Sequence, residues 1–172
     1  MDSTHLHLIS NHFPLVGMAI GTLTLIYAMF AKTTPAIKNV ALMIIVLSAL
    51  TAIPAYFSGE GAEDTVENIA GINERYIEKH EDSGKLFAIS IFVIGAFALL
   101  LLIYDRLKRK ENKFLGYVFL LGCIIVCAFA INAGNTGGEI RHDEIRSGYS
   151  PSASADSNAE NNATKADDGD DD

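Results

Sequence analysis

Charged residues are missing from four long stretches of this sequence. Residues 13–31, 39–57, 86–104 and 114–133 contain no Asp, Glu, Lys or Arg. At about 1.5 Å of rise per helical residue, each stretch can cross the roughly 30 Å hydrocarbon core of a bilayer. A helix buried in a large soluble protein can also be free of charge. In a chain of 172 residues, four such helices would leave no polar face to coat a soluble core. A water-soluble globular fold is thereby excluded, and the chain reads as an all-α membrane protein with four transmembrane helices.

Other absences narrow the chemistry. The start, Met1-Asp-Ser-Thr4, has no basic region, and Lys32 rather than a small-residue cleavage site follows the first apolar run. That run is expected to remain as a helix instead of being removed as a signal peptide. There are only two cysteines, Cys123 and Cys127, both inside the fourth run at i, i+4. They are expected as small buried hydrophobes, because intrahelical geometry suits neither a disulfide nor a metal pair. No Cys-x-x-Cys-His is present to attach haem covalently. Neither His-Glu-x-x-His nor a paired Glu-x-x-His occurs. The spans hold no ionisable acid or base of the kind that transporters and proton relays need. With a formal net charge of -8, no nucleic-acid partner is expected.

The charges that are present sort by segment. Loop 32–38 carries Lys32 and Lys38 and no acid; segment 105–113 carries Arg106, Lys108, Arg109, Lys110 and Lys113 against Asp105 and Glu111. Loop 58–85 and the chain after Ala133 are strongly acidic. Lysine and arginine in short loops mark the cytoplasmic side. The first and third loops are therefore expected inside, and the N-terminus, the second loop and the C-terminal segment outside. Short cytoplasmic turns would make two antiparallel hairpins and an up-down four-helix bundle, N-out and C-out.

Within that frame, Gly17-Met-Ala-Ile-Gly21 is a small-xxx-small pair that permits close helix packing or, as a sharper alternative, a flat cofactor against the glycines. Pro54 should kink the second helix near its outer end. In the outer loop, residues 63–70 and 72–80 read as short amphipathic helices split at Gly71, the second running on into the third span. From Ser147 the composition shifts to Ser, Ala, Asn and Asp, ending in Asp-Asp-Gly-Asp-Asp-Asp. This divides the chain into a membrane domain, 1–146, and an acidic tail, 147–172, too poor in hydrophobes to fold.

All five histidines fall on the expected outer side: His5, His7 and His12 before the first span, His80 before the third, and His142 after the fourth. Imidazole ligates haem and most transition metals in its neutral form. His12 leads the candidates, because Pro14 in the first helical turn would hold it on a defined helix end. His80 and His142 follow. His5, His7, Glu60, Glu63 and Glu139 form a second tier that would allow a mixed His/carboxylate site for zinc, iron or copper. Two histidines from different helices facing each other across a bundle suit a b-type haem.

At Asn11-His-Phe-Pro14, Ser58-Gly-Glu-Gly-Ala-Glu63, His80-Glu81 and Gly137-Gly-Glu-Ile-Arg-His142, the sequence resembles a widespread bacterial membrane family of unknown function. The similarity runs from about His5 to about Ser147. It implies four helices in a bacterial inner membrane and points to His12, His80 and His142 as the family-type positions. Members often sit beside respiratory-chain and c-type cytochrome modules, which implies redox work and partners of that kind.

The reading that results is a small redox subunit, an electron-transfer or accessory component rather than a stand-alone enzyme, with haem b near the outer face. A non-catalytic structural or assembly subunit, and an outer-face metal-binding protein, are the alternatives. The orientation is directly testable with a reporter enzyme active only outside the cytoplasm. Fused after residue 147 it should be active, and fused within 106–110 inactive; the reverse pattern would overturn the assignment.

Overall fold

A computed structural model describes residues 2–31, 34–67, 69, 72–108 and 112–149. They form five α-helices: α1 (Ser3–Ser10), α2 (His12–Phe30), α3 (Pro35–Val66), α4 (Glu74–Lys108) and α5 (Lys113–Arg141). A 3-10 turn, Asp143–Ile145, follows. The tail from residue 150 onward lies outside the described residues.

Helix α1 begins on Asp2, whose carboxylate accepts from His5 N–H. Asn11 has right-handed helical backbone angles, so α1 passes into α2 with little change of direction. Pro35 opens α3, where a missing N–H costs nothing. Helix α5 is capped by Asn112, whose side chain accepts from Leu115 N–H. Among the described residues, four helical segments are long and apolar enough to cross a membrane, α1 and α2 counting as one.

Helix α2 packs on α3, α3 on α4, α4 on α5, and α5 back on α2. The facing residues show that neighbours run antiparallel. Gly17 lies against Ser48 and Gly21 against Ile45; Gly95 lies against Ala49; Leu15 faces Gly134 and Met29 faces Gly116. Phe97 and Phe119 stack edge-on with ring centroids 5.3 Å apart. Met18, Leu25, Leu42, Ile45, Ile91 and Phe119 fill the centre and are essentially inaccessible. Leu23, Leu47, Val93 and Leu121 point outward and are each more than half exposed. An apolar belt of that extent is what a lipid-facing surface requires.

The glycine pair of α2 therefore packs on α3. A Cβ at Gly21 would sit 2.6 Å from Ile45 Cγ1, which leaves no slot for a flat group. Both cysteines are free; Cys123 is buried in the core, and Cys127 Sγ lies 3.4 Å from Thr22 Oγ1.

The helices overrun the charge-free runs mainly at one end. There, 58–66 of α3, 74–85 of α4 and 134–141 of α5 extend past the apolar segments, and α1 stands beside them. This corrects the expected outer loop. Residues 63–66 are the last turn of α3 rather than part of a separate short helix, because the buried stripe Ala52, Ala55, Ser58, Ala62 carries its interior face onward. The segment expected at 72–80 is the start of α4, as its continuation into the span implied. Helix α3 also continues through Pro54. The expected split at Gly71 lies outside the described residues. At the opposite end, Lys38 Nζ meets Asp105 Oδ2 at 2.8 Å, tying the start of α3 to the end of α4.

Gly21→Leu should destabilise the bundle by about 1–3 kcal/mol, the cost of overpacking a filled contact. Gly84→Ala, where no atom lies within 4 Å of the added Cβ, should be neutral or slightly stabilising. Thermal unfolding of the two variants in the same detergent checks the contrast.

Candidate functional site at the overhanging helix ends

Two imidazoles from different helices meet at this end. His7 of α1 and His80 of α4 have ring centroids 6.3 Å apart with planes at 80°. Both rings are tied at Nδ1. His7 Nδ1 lies 2.9 Å from the Ala55 carbonyl, which can only accept, so Nδ1 carries the proton and donates it. His80 Nδ1 lies 3.3 Å from Thr136 Oγ1. The Thr136 hydroxyl donates back to the Asn132 and Ala133 carbonyls, which leaves its oxygen to accept from His80. With Nδ1 donating in both rings, Nε2 is the nitrogen each imidazole would have free to ligate. A donor bond of this sort from the ring nitrogen away from the metal is what orients metal-ligating histidines and sets their tautomer.

The surroundings are built for the rings. Ala55 and Ser58 are buried on α3 and Thr136 on α5. Gly59 follows the stripe on α3, and a Cβ there would come within 3.6 Å of His7 Cε1. At Gly137 a Cβ would come within 3.0 Å of His80 Cε1, so any larger residue would push the ring from its seat. Burial holds the His80 imidazole below its ordinary pKa of 6.5, and the neighbouring His7 lowers it further. His80 is thus kept neutral, the ligating form.

The other sequence candidates lie apart from this pair. His12 is exposed at the start of α2, its Nδ1 3.3 Å from the Leu8 carbonyl one turn back. His142 is exposed beyond α5 and pairs with Glu144 at 2.8 Å. His5 is exposed on α1. Glu139 is taken up by Lys79 at 2.5 Å. Glu60 is exposed, and Glu63 sits in an acidic group where burial, then Glu81 and Glu67, raise its carboxyl above the ordinary value. Among the described residues no group of three or more His, Cys, Asp or Glu side chains converges on one point. His7 stands in the second tier of the sequence candidates, Gly59 lies within the Ser58–Glu63 motif with no role assigned, and Thr136 and the Ala55 carbonyl are not among them. A signal existed. His7, Ser10, Pro14, Met18, Gly21 and Leu25 share one helical stripe, as do His80, Phe87, Ile91 and Ile94.

The C-terminal turn closes over the same end. Arg146 donates through Nε to the Glu139 carbonyl at 2.7 Å and through a terminal nitrogen to the Ile140 carbonyl at 3.1 Å. These are carbonyls that the end of α5 leaves unpaired. The guanidinium also lies 4.0 Å from the centre of the Tyr76 ring, pinning the turn to α4.

Comparison with known protein families, with curated proteins and with solved structures finds no match. The fold defines a class all the same: an all-helical chain with four candidate membrane-spanning helices, consistent with a multi-pass membrane protein.

Because His80 has a lower pKa folded than unfolded, the unfolded chain binds the extra proton between the two values. Its contribution to stability is complete above about pH 6.5 and is lost as pH falls from there through the folded value. Thermal stability in detergent should therefore decline from pH 7 to pH 5, and His80→Asn should flatten that decline. A wild-type slope unchanged by the substitution would reject this assignment.

Proposed function

We propose that this chain is a small redox subunit of a bacterial inner membrane, with both termini outside and a b-type haem held at the outer end by His7 and His80. The observation that carries the reading is the paired imidazoles, each anchored through Nδ1. The rings here are 6.3 Å apart. The donor set also fits, since His7 and His80 would hold the haem iron through imidazoles from separate helices.

When bound, the haem would supply one-electron transfer. The chain's own residues do the rest. Ala55 and Thr136 hold the two tautomers, and Gly59 and Gly137 admit the rings. Burial keeps His80 unprotonated. His12 and His142, which with His80 are the positions to which the family resemblance points, lie on the exposed rim where a donor or a c-type cytochrome would dock. The acidic character of the outer segments suits a basic partner.

A structural or assembly subunit is the second reading. It is favoured by the direct contact of Gly17, Gly21 and Gly95 with α3, which leaves the bundle interior to packing.

A visible spectrum with elemental analysis of protein expressed with ample haem distinguishes the two. Reduced-minus-oxidised α-band absorbance should be present in wild type, absent in His7→Ala and His80→Ala, and retained in His12→Ala. Colourless, metal-free protein sinks the redox reading. Absorbance lost in His12→Ala but kept in His7→Ala would return the site to the helix start.

A further inference from the structure

The opposite end of the bundle holds a second feature, independent of the histidine reading. An open cavity of about 280 Å³ lies where α2 ends and α3 and α5 begin. Its apolar wall is Met29, Gly116 and Tyr117, and its polar rim includes Thr34, Asn112 and Lys113. Phe30 and Tyr117, both at least half exposed, stack beside it with ring centroids 6.4 Å apart. Lys38 also lines the cavity and engages Asp105, the carboxylate at this end of α4.

We propose that this cavity seats the phosphate headgroup of an anionic phospholipid, with the acyl chains running down the Met29–Tyr117 wall. Three features of the cavity favour that occupant. Lys113 brings a full positive charge to the rim. Two long helices, α3 and α5, present their N-termini to one space, and each places partial positive charge there. On α3 the Thr34 side chain makes no capping hydrogen bond, so no side-chain acceptor occupies that terminus. The apolar wall then distinguishes a lipid from a free anion, because Phe30, Tyr117 and Met29 adjoin the exposed apolar belt that faces the bilayer. Basic pockets between transmembrane helices at the lysine-rich side suit such headgroups. The arrangement also explains an aromatic pair at the level where the belt meets the charged end.

The test is native mass spectrometry of the full chain in detergent, titrated with short-chain phosphatidylglycerol or phosphatidylcholine of the same acyl length. Phosphatidylglycerol should bind at least about fivefold more tightly, the worth of one lysine near an anionic surface. Lys113→Gln should remove that preference, and Lys113→Arg should keep it. Lys85→Gln, at the other end of α4, should leave it unchanged. Lys113 is exposed, so its exchange does not threaten the fold. Equal binding of the two lipids, or a preference that survives Lys113→Gln, would overturn the proposal. Displacement of the lipid by inorganic phosphate at equal concentration would also overturn it, by showing a free-anion site.

Discussion

Close backbone contact with α3 governs the geometry of the molecule. Gly17 and Gly21 bring α2 onto Ser48 and Ile45, and Gly95 brings α4 onto Ala49 from the other side. In a bilayer there is no gain from burying one apolar helix against another instead of against lipid. Shape complementarity at small residues therefore decides which faces meet. Once α2 and α4 are held at short distance on opposite flanks of α3, α5 closes the ring against both. Their continuations beyond the apolar runs then have little freedom of position. His7 and His80 sit on those continuations, so the spacing of the imidazoles is a consequence of glycine contacts several turns away.

The ends of the bundle are chemically unlike. One end stops close to the apolar runs, and its ion pair, Lys38 with Asp105, is nearly inaccessible. The other carries turns of polar helix on α3, α4 and α5, with α1 added. There the Thr136 and Ser58 hydroxyls donate to carbonyls of their own helices, and Arg146 donates to a carbonyl that the end of α5 leaves unpaired. A half-buried imidazole such as His80 is affordable only in that setting. In the hydrocarbon region a polar ring without partners would cost several kcal/mol.

Much of this was legible from charge and spacing. Four charge-free runs give the number of spanning helices, and the glycine pair on α2 gives a packing face. The free cysteines follow from their place inside the fourth run. The segment from residue 58 to 67 was less legible, because its charged residues mask a stripe of small residues, Ala55, Ser58 and Ala62, that keeps α3 helical and buried on one side. The histidines show the same limit. His12 borders an apolar run and draws attention by its place beside Pro14, yet it lies off the stripe that faces the bundle. His7 and His80 lie on their stripes, a relation visible only when the helical period is extended beyond the apolar residues.

The sequence by itself thus determined an all-helical chain with four spans and the segregation of acid from base between its ends. These are properties of single segments, set by transfer of side chains between water and hydrocarbon. Only the tertiary structure decided which histidines face each other, which nitrogen each ring presents, and that a cavity opens between α2, α3 and α5. Those depend on the rotation and height of one helix against another, which close contacts between residues distant in the chain set and no local pattern encodes.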